Sequence, residues 1–342
     1  MGALTVLLFS HCIAAEPVTV IRGATVYDGN DKPGRRVDVL IRGASIDAIG
    51  TSLKIPKSAH VIDATGLIVA PGFIDLHTHS DRSLTRPSTS VNLNYLFQGV
   101  TTAVTGNCGS GPVDIAAYFR NLEKAKQGSN VVHLVPHNSL RRAVMGNSNR
   151  EPTDKELSKM KDLMAKGMKD GAYGMSTGLI YNPGTYAKTD EIVALASVVG
   201  KHRGIYVSHI RGEGVTLLPA TQEAIDIGKR AGTPVHISHM KASGHRTWGR
   251  SVDSIALIMK ARKQGQQVTA DQYPYSASST SLQATLVPPR FREGTRKDFL
   301  KRLDDADLGP TVRKGIAGTL KAKRNGIGIQ IAIQNGRLTI TS

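Results

Sequence analysis

The stretch Pro71-Gly-Phe-Ile-Asp-Leu-His-Thr-His79 decides the fold class. A Pro-Gly turn leads into a short apolar run, typical of a buried strand, and the run ends in two histidines separated by one residue. Residues two apart in a strand point the same way, so His77 and His79 would present their imidazoles together at the carboxyl end of the strand. This pattern favours a metal site over two packed core histidines.

Downstream of this stretch, strand-like runs alternate with amphipathic segments such as Asp154–Lys169 and Leu217–Ala231. The strand-like runs are Phe73–His77, Thr101–Thr105, Val131–Pro136, Tyr173–Ser176, Ile205–His209, Val235–His239 and Val268–Asp271. Parallel strands need crossover helices, and a closed barrel needs about eight strands. The sequence therefore predicts an α/β fold, a TIM-like (β/α) barrel with about seven of its eight strands present.

A different pattern precedes the barrel. Short alternating apolar runs punctuated by Gly and Pro extend from residue 18 to residue 69 and predict the hairpins of a small β-sandwich domain. The chain is thus expected to divide into a signal-like segment (1–16), this sandwich (17–69), which would be incomplete without C-terminal strands, and the barrel (70–288). A helical insertion and a truncated end (289–342) would follow, with helices over Arg296–Arg302 and Thr311–Lys323 and a strand over Gly326–Ile333.

The first sixteen residues are similar to a secretory signal. The apolar run Leu4–Phe9 is followed by the small residues Ala14 and Ala15, although no Lys or Arg precedes the run and polar residues interrupt it. This favours a periplasmic or secreted protein, with a cytoplasmic location as the alternative. No other apolar run has the length of a membrane helix, so we expect no membrane partner.

Composition narrows the classes of partner and cofactor. The formal charge is +17, yet Lys and Arg are spread along the chain and aromatic residues make up only 5% of it, which argues against a nucleic-acid surface. The chain has two cysteines, Cys12 and Cys108, which excludes a disulfide framework. Cys108 therefore needs an explanation of its own.

Three more residues of metal-ligand type stand at or just after predicted strand ends. Cys108 follows the second barrel run, and His209 and His239 end the fifth and sixth. Singly, each is more often a packed core residue. The carboxyl ends of barrel strands meet at one mouth, however, and a shared mouth would bring these side chains together with His77 and His79.

At this point the sequence resembles the N-acyl-D-amino-acid deacylase (D-aminoacylase) family of the amidohydrolase superfamily. Besides the His-x-His stretch, the motifs that carry the resemblance are Gly106-Asn-Cys-Gly109, Gly174-Met-Ser-Thr-Gly-Leu-Ile-Tyr-Asn-Pro-Gly-Thr-Tyr-Ala187, Ser208-His-Ile-Arg211, Ser238-His-Met-Lys241 and Asp271-Gln-Tyr-Pro-Tyr-Ser-Ala-Ser-Ser-Thr280. The His-x-His motif alone indicates only the superfamily; the cysteine and tyrosine motifs indicate the family.

The resemblance implies a Zn²⁺ cofactor. One tight site would be formed by Cys108, His209 and His239, and His77 and His79 would form a second, weaker metal position. A thiolate with two imidazoles suits zinc, which activates water and polarises an amide carbonyl.

The resemblance also implies a small-molecule substrate, an N-acyl-D-amino acid. Its free carboxylate would be bound by Lys241, Tyr273 and Ser279, and Tyr181 would stabilise the developing oxyanion. Four further polar residues within these stretches are expected to have supporting roles: His133, His137, Arg211 and Glu213. The sequence gives no prediction of the oligomeric state.

One element of the family pattern is missing. The resemblance implies an aspartate at the end of the eighth strand as the general acid–base group, and this general-base Asp is absent from the chain. Three interpretations stay open. The favoured one is a truncated or frameshifted deacylase whose activity is in doubt. The second is an amidohydrolase acting on cyclic amides, of the dihydroorotase or hydantoinase type, and the third is an inactive metal-binding remnant.

Overall fold

A computed structural model of the chain describes residues 16–30, 32–275, 278–324, 330–334 and 337–341. The signal-like residues 1–15, and residues 276 and 277 of the tyrosine motif, lie outside this part. The chain forms two units, residues 1–73 and 74–342. Among the described residues, no helix is both long and apolar enough to cross a bilayer.

The N-terminal unit contains one mixed five-stranded sheet. Its strands are β1 (Val18–Val26), β2 (Arg35–Arg42), β3 (Ser45–Gly50), β4 (His60–Asp63) and β5 (Ile68–Val69). Strands β1, β2 and β3 form the predicted hairpins, whereas β4 and β5 pair with β1 in parallel. The runs around Val20 and Val26 are a single strand, because the register shift between Ile21 and Ala24 keeps Val20, Ala24 and Val26 buried. The small β domain is confirmed, with one sheet layer among its described residues.

All seven predicted barrel strands are present and pair in chain order in a single sheet. They are β6 (Phe73–Asp75), β7 (Val100–Thr105), β8 (Asn130–Pro136), β9 (Gly174–Gly178), β10 (Ile205–His209), β11 (Val235–Ile237) and β12 (Val268–Ala270). The pairs from β7 to β12 are parallel. This confirms the TIM-like barrel. Strands β6 and β12 form the two edges, and no described strand pairs with the outer side of either.

Helices supply the crossovers between these strands. They are α1 (Asp81–Leu84), α2 (Leu93–Leu96), α3 (Ile115–Ala125), α4 (His137–Met145), α5 (Asp154–Lys169), α6 (Thr189–Lys201), α7 (Leu217–Ala231) and α8 (Ser251–Lys263). Helix α5 begins at a capping box in which Thr153 and Glu156 satisfy each other's backbone amides. Its inner face buries Met160 and Met164 in the main core, together with Leu195 of α6. This packing fixes the strand ends that carry the polar residues.

After the seventh strand the chain is helical, as predicted. It contains α9 (Leu282–Leu286), α10 (Arg296–Asp304) and α11 (Leu308–Arg324), followed by the hairpin strands β13 (Gln330–Gln334) and β14 (Arg337–Thr341). The hairpin is a separate two-stranded sheet. The strand predicted over Gly326–Ile333 corresponds in part to β13, and residues 325–329 lie outside the described part of the chain.

Candidate metal centre

The loop after β7 brings the cysteine thiol inward. Gly106 has a φ of 77° and Cys108 a φ of 52°, so the chain turns sharply. Gly106 cannot be replaced without strain, because a Cβ there would come within 2.2 Å of the Leu134 carbonyl oxygen. The buried amide of Asn107 donates to the Val104 carbonyl at 3.0 Å and, at longer distances, to the carbonyls of residues 76 and 78. It thereby ties the cysteine loop to the segment that carries His77.

The thiol lies among three imidazoles. Cys108 Sγ is 3.4 Å from His77 Nε2, 3.5 Å from His209 Nδ1 and 3.8 Å from His239 Nε2. His209 Nδ1 and His239 Nε2 are themselves 2.8 Å apart. Four of the five predicted metal ligands therefore meet at one point, although 162 residues separate His77 from His239 in the sequence.

The three sulfur–nitrogen distances suit a metal ion. Sulfur and nitrogen ligand atoms of a tetrahedral zinc site lie about 3.5 Å apart. His239 Nδ1 lies 2.9 Å from Glu213 Oε1 and 3.2 Å from the Lys241 ammonium, and the other ring nitrogen, Nε2, faces the cluster. Cys108, His77 and His239 form one group of ligand atoms within 4.8 Å of one another, and His209, Glu213 and His239 form another.

The electrostatics of the cluster favour a bound cation. Burial lowers the pKa of both His77 and His209 to about 3, so these imidazoles are neutral near pH 7 and can donate lone pairs. Burial, with the negative charges of Glu213 and Asp271, raises the pKa of the Cys108 thiol to about 12. A thiolate at this position therefore needs a positive partner, which a divalent metal supplies.

His79 does not join the cluster. The structure ends β6 at Asp75, because the Asp75 carboxylate accepts a hydrogen bond from the His77 amide at 2.9 Å and starts a turn. The expectation that His77 and His79 share one face of a strand is therefore wrong. The rings lie 5.3 Å apart, edge to face, and His79 is exposed. Its role in a weaker metal position stays a prediction.

Two carboxylates, those of Glu213 and Asp271, lie closer to the cluster than the sequence indicates. Glu213, given only a supporting role, contacts both His239 and the Lys241 ammonium, the latter at 2.7 Å. Asp271 accepts a hydrogen bond from the His239 amide and lies 3.6 Å from His77 Nδ1. Glu213 lies in the loop after β10, and no local pattern in the sequence shows where that loop folds back.

Burial raises the pKa of Glu213, but the hydrogen bond from His239 and the positive charge of Lys241 outweigh burial and lower the pKa to about 2. Glu213 is therefore ionised near neutral pH. An anion beside Nδ1 makes the Nε2 nitrogen of His239 a stronger electron donor toward the cluster.

Two of the three residues predicted to bind the substrate carboxylate lie together. Lys241 Nζ is 5.4 Å from the centre of the Tyr273 ring, and it donates to the His239 carbonyl at 3.1 Å. Ser279 is exposed and makes no hydrogen bond to a described residue. Its neighbour Thr280 hydrogen-bonds the Tyr181 hydroxyl at 2.8 Å. Lys241 and Tyr273 thus flank the cluster, and the role of Ser279 stays a prediction.

Tyr181 borders the cluster on another side. Its ring centre is 4.9 Å from that of His209. The fully buried Asn138 holds the turn that carries it, donating to the Gly178 and Tyr181 carbonyls at 2.8 and 3.2 Å. Burial raises the pKa of Tyr181 to about 12, so its hydroxyl keeps its proton and can donate a hydrogen bond.

The remaining supporting residues have structural partners. His133 is fully buried and bonds Thr105 and the Pro112 carbonyl, and Arg211 pairs with Glu223. His137 contacts Glu191 at 3.0 Å. These contacts agree with the roles expected from the sequence.

The arrangement of one thiol and several imidazoles at barrel strand ends agrees with a sequence match. Residues 60–275 match the amidohydrolase family. The chain belongs to this family. Within it, three relatives indicate the D-aminoacylase group.

A D-aminoacylase of Alcaligenes xylosoxydans xylosoxydans is 39% identical over 292 residues, which are 78% of this chain and 59% of that protein. An N-acyl-D-aspartate deacylase of the same organism is 38% identical over 85% of this chain and 64% of its own length. The chain thus spans about three fifths of the length of these relatives. The structure of an N-acyl-D-glutamate deacylase from Bordetella bronchiseptica, complexed with zinc and a phosphonate inhibitor, superposes with a TM-score of 0.72 at 32% identity, covering 91% of this chain and 71% of that one.

Proposed function

We propose that this protein is a zinc-dependent hydrolase that cleaves the amide bond of N-acyl-D-amino acids into a carboxylate and a free D-amino acid. The observation that carries the proposal is the approach of Cys108 Sγ to three imidazole nitrogens within 3.8 Å. The names of the relatives supply the substrate class, and the Bordetella structure supplies zinc as the metal.

Cys108, His209 and His239 would hold the ion, with His77 beside them. A second, weaker metal position would involve His77 and His79. Zinc supplies an activated water and polarisation of the amide carbonyl. The protein contributes the geometry, because Asn107 fixes the cysteine loop and the Glu213 carboxylate contacts the Nδ1 side of the His239 ring.

Lys241 and Tyr273 would orient the substrate through its free carboxylate. The Lys241 ammonium is largely buried and already pairs with Glu213. A bound carboxylate would share this ammonium from the side of the Tyr273 ring, a charge-assisted contact. This need for a free carboxylate distinguishes acylated amino acids from cyclic amides that lack a carboxylate, such as simple hydantoins.

Tyr181 would donate its hydroxyl hydrogen bond to the carbonyl oxygen as negative charge develops there. Its edge-on contact with the His209 ring places it beside the cluster. No residue is assigned the acid–base role that the family resemblance implies.

The test is stereospecific hydrolysis by the zinc-loaded full chain. N-acetyl-D-leucine and N-acetyl-L-leucine are supplied in parallel, and the released amino acid is measured together with the bound zinc. We expect release from the D enantiomer only, and its loss in the variant His239→Asn. Hydrolysis of dihydroorotate or a hydantoin instead would contradict the proposal. Bound zinc without release from either enantiomer would favour the metal-binding remnant.

A further inference from the structure

The loop that carries Cys108 has a backbone conformation that cysteine rarely adopts. Cys108 has a φ of 52° and lies between Gly106 and Gly109, whose φ values are 77° and 70°. A residue with a side chain is strained in this left-handed region, so the conformation persists only where the surrounding structure holds it. The position of the thiol in the cluster therefore depends on contacts from outside the loop.

Ser176 of β9 contacts this loop on both sides of the cysteine. Its hydroxyl donates to the Gly106 carbonyl and accepts a hydrogen bond from the Gly109 amide at 3.0 Å. Ser176 is fully buried, and both glycines are buried as well. A single side chain thus satisfies a buried carbonyl and a buried amide that flank Cys108.

The same strand leaves room for the cysteine backbone. A Cβ at Gly178 would come within 2.2 Å of the Cys108 carbonyl oxygen. Residues two apart in a strand share a face, so Ser176 and Gly178 form one surface on which the cysteine loop lies. In the parallel pairing of β9 with β10, Gly178 is the partner of His209. The register of this strand pair therefore relates the loop to one imidazole of the cluster.

Two other side chains hold the loop at one point each. The buried Asp81 carboxylate accepts a hydrogen bond from the Gly106 amide at 2.8 Å, and the Ser139 hydroxyl accepts from the Gly111 amide at 3.2 Å. Neither of these contacts spans Cys108. The hydroxyl of Ser176 does, because it bonds residues on both sides of the cysteine.

We propose that Ser176 is a positioning residue for the metal centre, which holds the Cys108 sulfur within reach of the three imidazoles. The inference rests on the metal centre of the proposed function. Without the hydroxyl, the strained turn can relax and move the sulfur away from the imidazoles. Loss of the hydroxyl should therefore weaken metal binding through Cys108, although Ser176 donates no ligand atom itself.

The experiment measures metal binding by the full chain. Zinc affinity is measured by competition with a chromophoric chelator. The contact with the thiol is followed by the sulfur-to-metal charge-transfer absorption of the cobalt(II)-loaded protein. Ser176→Ala should lower zinc affinity about tenfold or more and weaken the charge-transfer absorption. Ser176→Thr, which keeps the hydroxyl, should retain both.

The matched control is the next residue of β9. Thr177 is equally buried, and its hydroxyl bonds those of Tyr206 and Ser208 on the opposite face of the strand. Thr177→Val removes this buried hydroxyl and should lower the denaturant midpoint about as much as Ser176→Ala does. Its zinc affinity and its cobalt absorption should stay as in the native protein.

Three results would overturn the inference. The first is native zinc affinity in a folded Ser176→Ala protein, and the second is an equal loss of zinc affinity in Ser176→Ala and Thr177→Val. The third is an unfolded Ser176→Ala protein beside a folded Thr177→Val protein, because the Ser176 hydroxyl would then be needed by the fold as a whole.

A failure of the proposed function would be distinct from these results. That function fails if the native zinc-loaded chain releases no amino acid from an N-acyl-D-amino acid. The comparison of zinc affinities does not depend on such release. A native chain that binds no zinc would overturn both proposals.

Discussion

Two buried histidines in the barrel are each held by a glutamate, and the two pairs differ in what surrounds them. His239 contacts Glu213 at 2.9 Å, and His137 contacts Glu191 at 3.0 Å. In the second pair, Arg141 closes the network: its Nε lies 3.0 Å from Glu191, and its terminal nitrogens donate to the Ser148 and Arg150 carbonyls. In the first pair, the far nitrogen of the imidazole faces Cys108 and His209.

The difference shows how one pair of residue types serves two purposes. Around Glu191, charges and donors match, so the network stabilises helix α4 against α6 and the loop that follows α4. Around His239, the Cys108 sulfur and the His209 Nδ1 atom lie 3.8 and 2.8 Å from the His239 Nε2 atom. Such a set of ligand atoms is one that a cation can bind.

The largest effect on folding stability should come from removing Arg141 from the network around Glu191. Arg141 is fully buried, so Arg141→Met leaves the Glu191 charge without its partner and should lower the free energy of unfolding by about 3–5 kcal/mol. Denaturant titration followed by circular dichroism measures this change. The control is Arg142→Met, the exposed next residue of α4, which should cost less than about 1 kcal/mol. Equal losses of unfolding free energy in the two variants would show that the network around Glu191 does not depend on Arg141.

Changes to the cysteine and histidine cluster should alter zinc affinity. Cys108→Ala removes the sulfur ligand and should weaken zinc binding on the order of a hundredfold or more. Competition with a chromophoric chelator measures the affinity. His60→Asn, which removes an exposed histidine from the N-terminal sheet, is the control and should change nothing. Unchanged affinity in Cys108→Ala would exclude the thiol from the site.

Loss of the carboxylate behind His239 should have a smaller effect. Glu213→Ala removes the carboxylate that contacts His239 Nδ1, and zinc affinity should fall about tenfold to a hundredfold. Glu213→Gln keeps an acceptor oxygen and should lie between the native protein and the alanine variant. The same chelator competition checks both. An identical zinc affinity in all three proteins would mean that Glu213 interacts with Lys241 but does not support metal binding.

The smallest expected effect is a pH dependence of the closed network. Burial raises the pKa of Glu191, but the hydrogen bond from His137 and the charge of Arg141 outweigh it and lower the pKa below its ordinary value of 4.5. Its stabilisation is therefore fully present above pH 4.5 and is lost as the pH falls through the lower folded-state pKa.

The stability advantage of the native protein over Glu191→Gln should accordingly shrink on acidification below pH 4.5. Urea titrations at a series of pH values measure it. An advantage that grows on acidification would reverse the sign of the assigned shift.

The sequence predicted the barrel strands well because their signal is local. Each is a short apolar run bounded by turn residues, and all seven were found with ends shifted by at most two residues. Those small shifts matter at His77 and His239. Both were expected within strands, but β6 and β11 end two residues earlier, where Asp75 and Asp271 bind the backbone amides that follow. His79 consequently lies outside the cluster.

The contacts that complete the site could not be predicted in the same way. Glu213 reaches His239 across 26 residues, and Arg141 reaches Glu191 across 50. In the sequence, each is an ordinary charged residue in a loop or on a helix. Only the positions of the loops decide whether such a carboxylate is solvated or buried against an imidazole.

By itself, the sequence determined the period of strands and helices and the ligand-type residues at their ends, because hydrophobic burial and side-chain chemistry are properties of neighbouring residues. The tertiary structure decided which of those residues share a site, which glutamate lies in the network with Arg141 and which glutamate lies beside the cysteine and histidine cluster. These outcomes depend on distances between residues far apart in the chain, which parallel strand pairing and helix packing fix together.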